Sequence, residues 1–249
     1  MPNPIKLAAA VRTVLKHSDG VYTVTFVPEK KPPRFSPGQF LHLTVDPYDP
    51  AGGFWPESRV FSIASPSGAD LITIVYSVKG AYTHKMEDRL KPGTGVWLKL
   101  PYGDFVIKTS IREGQDVVLV AGGTGISPFI PYLEELIRER GVSRRVSLHY
   151  GARLCSHILF PELLERCADG LNGFDATIWV EKEASDRLRV RGIRARNGRL
   201  SIDSIYTEAR ELKDPVFFLS GPPAMIRFFK EGLVDKGVTT DNIKIDEWE

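Results

Sequence analysis

DVVLVAGGTGISPFIPYLEELIRER, Asp116 to Arg140, reads as a buried strand, a glycine-rich turn and an amphipathic helix. The same rhythm continues downstream. RVSLHY (Arg145 to Tyr150) precedes FPELLERC, ATIWV (Ala176 to Val180) follows, VFFLS (Val216 to Ser220) leads into PPAMIRFFKEGLVDKG, and IKIDEW closes the chain. Short apolar strands alternating with helices predict a doubly wound parallel sheet with helices on both faces. Within the turn, Gly123 and Gly125 allow a tight bend and a close backbone approach, and Pro128 suits a first helical turn. Unpaired N–H groups there attract an anion such as a pyrophosphate, although a tight connection without a ligand fits the same residues. Sheets of this kind bind ligands at the carboxyl ends of their strands, so Gly123, Gly125, Ser220 and Gly221 are expected to line one crevice. From spacing alone, Ser220 reads either as a small polar group beside a reacting atom or as a helix cap.

Upstream of Gly114 the pattern is different. VYTVTF, FLHLTV, VFSI, LITIVYSV and GVWLKL are short alternating runs separated by SDG, SPG, SPSGAD and KPGTG, and the N-terminal MPNPIKLAAAVRTVLKH reads as one more strand. These predict a six-stranded antiparallel barrel, with one short helix over Thr83 to Leu90 that Thr83 is placed to cap. A chain of 249 residues accommodates two domains of roughly 100 to 150 residues each, and the change of rhythm sets them at 1–112 and 113–249. The stretch Ala184 to Arg199 is the least regular and holds six arginines, as a solvated loop or as a phosphate or partner contact.

Composition narrows the classes. Lys and Arg number 33 against 31 Asp and Glu, a net charge of +2 that is too balanced for a nucleic-acid binder. No apolar run approaches the roughly 20 residues of a membrane span, and the N-terminus lacks the pattern of a signal peptide. Two cysteines, Cys155 and Cys167, could form one disulfide but cannot supply an iron–sulfur cluster, so no metal is expected and the cytoplasm is the expected compartment.

On ESRVFSIAS, a guanidinium at Arg59 can clamp a phosphate, the Phe61 ring can stack on a flat heterocycle, and the Ser62 hydroxyl can bond a ring nitrogen. Taken alone, those residues favour a half-buried strand. RVFS resembles the Arg-x-aromatic-Ser flavin motif of the ferredoxin–NADP reductase superfamily, and further motifs stand in family order: SPGQF before it, then VKGAYTHKM, YGDF, GGTGISP, YGAR (Tyr150 to Arg153), SGPPAM and the terminal DEW. The resemblance covers nearly the whole chain. It implies an FAD-binding barrel and an NAD(P)-binding domain that together move a hydride from NAD(P)H to flavin N5.

Residue by residue, the resemblance implies that Arg59 neutralises flavin phosphate, Phe61 packs on the isoalloxazine and Ser62 reaches N5. Gly80, Ala81 and Tyr82 would lend N–H groups to the pyrophosphate, and Thr83 its hydroxyl. Gly123, Thr124 and Gly125 would cradle the dinucleotide, with Ser220 near nicotinamide C4. Val60, Val78, Gly221, Pro222 and Met225 complete the cofactor contacts, and Trp248 would stack on the flavin. The chain departs from the family pattern at Ser220, where Cys is common, and at Asp246, where Glu is common. Arg153, Lys182 and Arg199, with no acidic residue over Gly151 to Leu154, favour NADPH over NADH. Electrons would pass to an external acceptor such as ferredoxin, flavodoxin or an oxygenase component. A non-catalytic flavin-binding relay subunit and a free flavin or ferric reductase are the alternatives.

Overall fold

Leu7, Ala9 and Val11 are buried at every second position of β1 (Ile5–Ser18), and Tyr22, Val24 and Phe26 repeat the pattern in β2 (Val21–Pro28). One face of each strand is therefore committed to an interior. With β3 (Phe40–Thr44), β4 (Arg59–Ser62), β5 (Ile72–Ser77) and β6 (Gly95–Tyr102) they form an antiparallel sheet in the order β4-β3-β6-β1-β2-β5. Beyond β4 the chain curls the sheet towards closure: the Ile63 N–H donates to Gln39 O at 3.0 Å, just before β3, and the Ala64 N–H to Thr73 O of β5 at 2.8 Å. Helix α1 (Ala81–Arg89) adds Tyr82 and Met86, followed by Leu90, to the apolar interior built from Phe26, Leu41, Leu43, Ile72 and Leu98. It begins two residues before the expected Thr83, with Gly80 rather than Thr83 in the N-cap position.

The computed structural model describes residues 3–18, 20–139 and 143–246. Its chain divides into two compact units, Met1–Val106 and Ile107–Glu249. In the second, β7 (Val117–Gly122), β8 (Val146–Ala152), β9 (Phe174–Val180), β10 (Arg194–Asn197), β11 (Val216–Ser220) and β12 (Ile243–Ile245) form a parallel sheet in the order β10-β9-β8-β7-β11-β12. Helices α2 (Ile130–Glu139), α3 (Pro161–Gly170), α4 (Ile202–Ala209) and α5 (Pro223–Asp235) supply the crossovers. Ile205 and Ala209 of α4 and Phe229 and Leu233 of α5 pack on Val118, Val120, Phe217 and Leu219. The alternate residues Val117, Leu119, Val216 and Phe218 are just as fully buried, as parallel strands covered on both faces require.

Two elements lie outside the sequence expectation. Helix α4 is short and is capped by Ser201, whose side chain accepts the Ser204 N–H at 3.3 Å. Strand β10 lies within the arginine-rich stretch and is held by charge: Arg194 pairs with Asp175 and Glu208, and Arg196 pairs with Glu208 while lying 5.1 Å from the Trp179 ring centre. Arg191 pairs with Asp169 at 2.6 Å, so much of that stretch is bound to neighbouring carboxylates rather than simply solvated. Both cysteines are free thiols, and burial pushes Cys167 up to about 12. Among the described residues, no helix is long and apolar enough to cross a membrane.

His149 on β8 is buried, with its Nε2 bonded to Ser147 Oγ at 3.1 Å; burial, reinforced by Arg194 and Arg196, holds its pKa down at about 3. The unfolded chain takes up that proton near pH 6.5, so between roughly pH 3 and 6.5 the unfolded state binds more protons and stability falls as pH falls. His149→Gln should remove up to about 1.4 kcal/mol per pH unit of that dependence, measured from urea midpoints at about pH 5 and about pH 7.5.

Candidate functional site

In the first unit, the N-terminus of α1 is open. Gly80 has no side chain to cap it, and the first turn carries no acidic residue. The N–H groups of Ala81, Tyr82 and Thr83 therefore have no intrahelical acceptor and form the positive end of the helix dipole. The Thr83 Oγ1 accepts the N–H groups of Lys79 at 2.8 Å and Gly80 at 3.0 Å and donates to Gly80 O at 3.0 Å. The hydroxyl expected on a phosphate is thus already holding the loop in shape. Tyr82 is buried; its hydroxyl accepts the Val45 N–H at 3.2 Å and donates towards Glu57 O at 2.9 Å and Leu43 O at 3.3 Å. The Arg59 guanidinium lies over the Tyr82 ring, 4.5 Å from its centre, and pairs with Glu57 at 2.8 Å. RVFS and KGAYT, distant in sequence, meet here.

Strand β4 pairs with β3 along one edge, Phe40 facing Ser62 and Leu43 facing Arg59. It is the terminal strand of its sheet, so among the described residues no strand covers the backbone groups on its other edge. Phe61 shares a face with Leu41, stays half-buried and meets Tyr76 edge-on at 6.2 Å, while Ser62 is buried. Val60 is partly exposed, and the Val78 N–H is held by Gly20 O at 2.7 Å. SPGQF and YGDF brace this strand. Gly38 has φ +102°, and a Cβ there would stand 2.0 Å from the Phe105 carbonyl oxygen. The Gln39 side chain accepts the Ser36 N–H at 2.9 Å and donates to Gly103 O at 3.1 Å.

In the second unit the two glycine turns interlock. A Cβ on Gly125 would stand 2.4 Å from Ser220 O and 2.6 Å from Gly221 Cα, so the two backbones touch where any other residue would separate them. Gly123 and Thr124 open a 3₁₀ turn, Gly123–Phe129, in which Ser127 Oγ donates to Thr124 O at 2.7 Å. Helix α2 starts only at Ile130, so Pro128 lies inside this turn rather than in the first turn of an α-helix. Pro222 occupies the N-cap position of α5, and Met225 lies in its first turn. Ser220 is therefore not the cap. It is 2% exposed, and its hydroxyl donates to Asp246 Oδ2 at 2.8 Å; Asp246 is 3% exposed, and its N–H reaches Leu219 O at 2.9 Å. The two positions that depart from the family pattern are hydrogen-bonded to each other. Trp248 lies outside the described residues.

Arg153, Lys182 and Arg199 gather at the carboxyl ends of β8 and β9, where the Glu181 N–H bonds Ala152 O at 3.0 Å and the Lys182 N–H bonds Arg153 O at 2.9 Å. Sequence reasoning missed Glu181 among them. It pairs with Arg199 at 2.9 Å, and that hydrogen bond, with the charges of Arg199, Arg153 and Lys182, holds its carboxyl below the ordinary range. Its position one residue after ATIWV was the available signal.

Residues 119–231 match the family model of the oxidoreductase NAD-binding domain. Terephthalate 1,2-dioxygenase, reductase component 2, from Comamonas sp is 27% identical over 225 residues, 88% of this chain and 61% of that protein. The crystal structure of the Amycolatopsis cytochrome P450 reductase GcoB aligns with a TM-score of 0.82 at 21% identity, covering 98% of this chain and 70% of that one. A ferredoxin NADP+ reductase from Neisseria gonorrhoeae with bound FAD and NADP aligns with a TM-score of 0.73 at 19% identity, covering 98% of each chain. The chain spans 55 to 61% of the length of the first curated relatives it matches. Part of its second unit is thus similar to an oxidoreductase NAD-binding domain, and the chain has the fold of the ferredoxin–NADP reductase-like FAD/NAD-binding proteins.

Because the Gly125 contact is backbone on backbone, Gly125→Ala should destabilise the second unit by about 2 kcal/mol or more. Denaturant unfolding followed by Trp179 fluorescence would measure it.

Proposed function

We propose that this chain is a flavoprotein reductase that binds FAD on its first unit and a nicotinamide dinucleotide on its second, delivering electrons to an external redox protein. One observation carries the flavin reading: a guanidinium seated on the Tyr82 ring beside three uncapped helix N–H groups. Arg59 and α1 suit a pyrophosphate in charge and donor type, and the open edge of β4 offers backbone donors and acceptors to a flat polar ring. Bound FAD would supply the chemistry, taking up a hydride and giving up electrons singly.

The protein's share is position and polarity. Arg59 neutralises phosphate charge and exchanges Glu57 for it. Phe61 gives an apolar surface, and Ser62 a hydroxyl, at the end of β4. Gly123, Thr124 and Gly125 admit the dinucleotide backbone closely, while the Ser220 hydroxyl, its proton engaged by Asp246, is left with lone pairs to accept a donor from the nicotinamide side. A relay subunit would need no dinucleotide crevice, so the interlocked glycine turns favour the reductase. Terephthalate dioxygenase reductase, as a relative, suggests an oxygenase component as the class of acceptor.

The nucleotide preference follows Glu181. Arg153, Lys182 and Arg199 argued for a 2′-phosphate, but Glu181 already engages Arg199 and would stand against added negative charge. A carboxylate there suits a free ribose 2′-hydroxyl, so we favour NADH where the sequence alone favoured NADPH.

FAD-reconstituted protein should be yellow and should bleach anaerobically with NADH; protein that stays oxidised with both nucleotides would overturn the reading. Glu181→Gln should raise the KM for NADH and lower that for NADPH, each by about ten-fold, the order expected for one charged hydrogen bond. Steady-state kinetics with both nucleotides would check it.

A further inference from the structure

The loop over residues 46–58 joins β3 to β4 and is fastened to α1 near both of its ends. Asp46 accepts Lys85 at 2.6 Å and Arg89 at 2.8 Å, and the Glu57 carbonyl accepts the Tyr82 hydroxyl at 2.9 Å. Between these anchors Tyr48 meets Trp55 edge-on at 5.3 Å and Trp97 at 5.1 Å, and its hydroxyl accepts Lys6 Nζ at 2.5 Å. The Trp55 Nε1–H donates to Ser58 Oγ at 3.0 Å. The tip is an ordered turn in which Asp49 accepts the Ala51 N–H on Oδ1 and the Gly53 N–H on its carbonyl, both at 2.9 Å. Phe54 leaves this fastened loop with its side chain in water, 98% exposed.

The aromatic neighbours of Phe54 in the loop are already engaged with each other. Its own ring faces are free for a flat partner, and five residues later in the chain comes Arg59, at most about 17 Å away even along extended backbone. Tyr82 holds both the end of the loop and the Arg59 guanidinium, so the exposed ring and the anion site belong to one braced assembly. Strand β4 runs from Arg59 to Ser62. A flavin laid along its open edge leaves the rest of a dinucleotide on the side of the residues that precede Arg59, where the loop stands.

The geometry points to Phe54 as the stacking platform for the adenine ring of FAD, an inference that rests on the FAD reading above. An adenine has two apolar faces and a phosphate tether, which match an exposed ring fixed near an anion site. FMN contains the same isoalloxazine and a phosphate but no adenine. Phe54 therefore discriminates between the two flavins, and Arg59 does not.

The test titrates deflavinated full-length protein with FAD and, separately, with FMN, following quenching of flavin fluorescence. Phe54→Ala should weaken FAD binding about ten-fold, leave FMN binding within about two-fold, and be rescued by Phe54→Trp. FAD binding unchanged in Phe54→Ala, or an equal loss for both flavins, would overturn the proposal. The first outcome, joined to slower electron delivery to a protein acceptor, would instead identify Phe54 as a docking residue. Wild-type protein that binds neither flavin would bring down the FAD reading itself, a failure separate from that of Phe54.

Discussion

Tyr82 is the residue on which the arrangement of the first unit turns. Its ring is buried by the barrel and carries the Arg59 guanidinium, and its hydroxyl satisfies one backbone donor while reaching two carbonyls on segments remote in sequence. A buried phenol left unpaired would be costly, so these bonds fix the height at which α1 meets β3 and the start of β4. The open N-terminus of α1 is brought beside Arg59 as a result. Replacing the ring would remove the seat of the cation as well as the tether.

The second unit relies on the opposite device, the absence of side chains. Gly125 and Ser220 meet backbone to backbone, which brings the ends of β7 and β11 together without an intervening atom. At the other end of the sheet a buried carboxylate does the converse. Asp116 accepts the Arg145 N–H at 2.7 Å and the Lys213 N–H at 2.8 Å, tying the starts of three strands. Close approach at the carboxyl ends and firm pairing at the amino ends leave one end of the sheet shaped by glycine and the other by hydrogen bonds.

Most of this fold was legible in the sequence because burial writes a period. The six barrel strands and the five strands β7, β8, β9, β11 and β12 follow apolar runs bounded by turn residues. Strand β10 has no such run; ion pairs to Asp175 and Glu208 hold it, and those partners are fixed only by the tertiary fold. Helix α4 is brief, and its apolar residues Ile202 and Ile205 are too few to establish a helical period. At the site, Arg59 and the glycine turns were readable as motifs. Glu181 is not legible that way, because it is remote in sequence from Gly151 to Leu154 and only the parallel pairing of β8 with β9 brings it alongside Arg153.

Ser220 and Asp246 lie far apart in sequence, yet they form one buried polar unit, the hydroxyl supplying a proton that the carboxylate has little water to replace. Removing the Asp246 carboxylate would take this acceptor from the buried Ser220 hydroxyl. In the folded chain the two positions therefore behave as one buried unit rather than as two independent side chains.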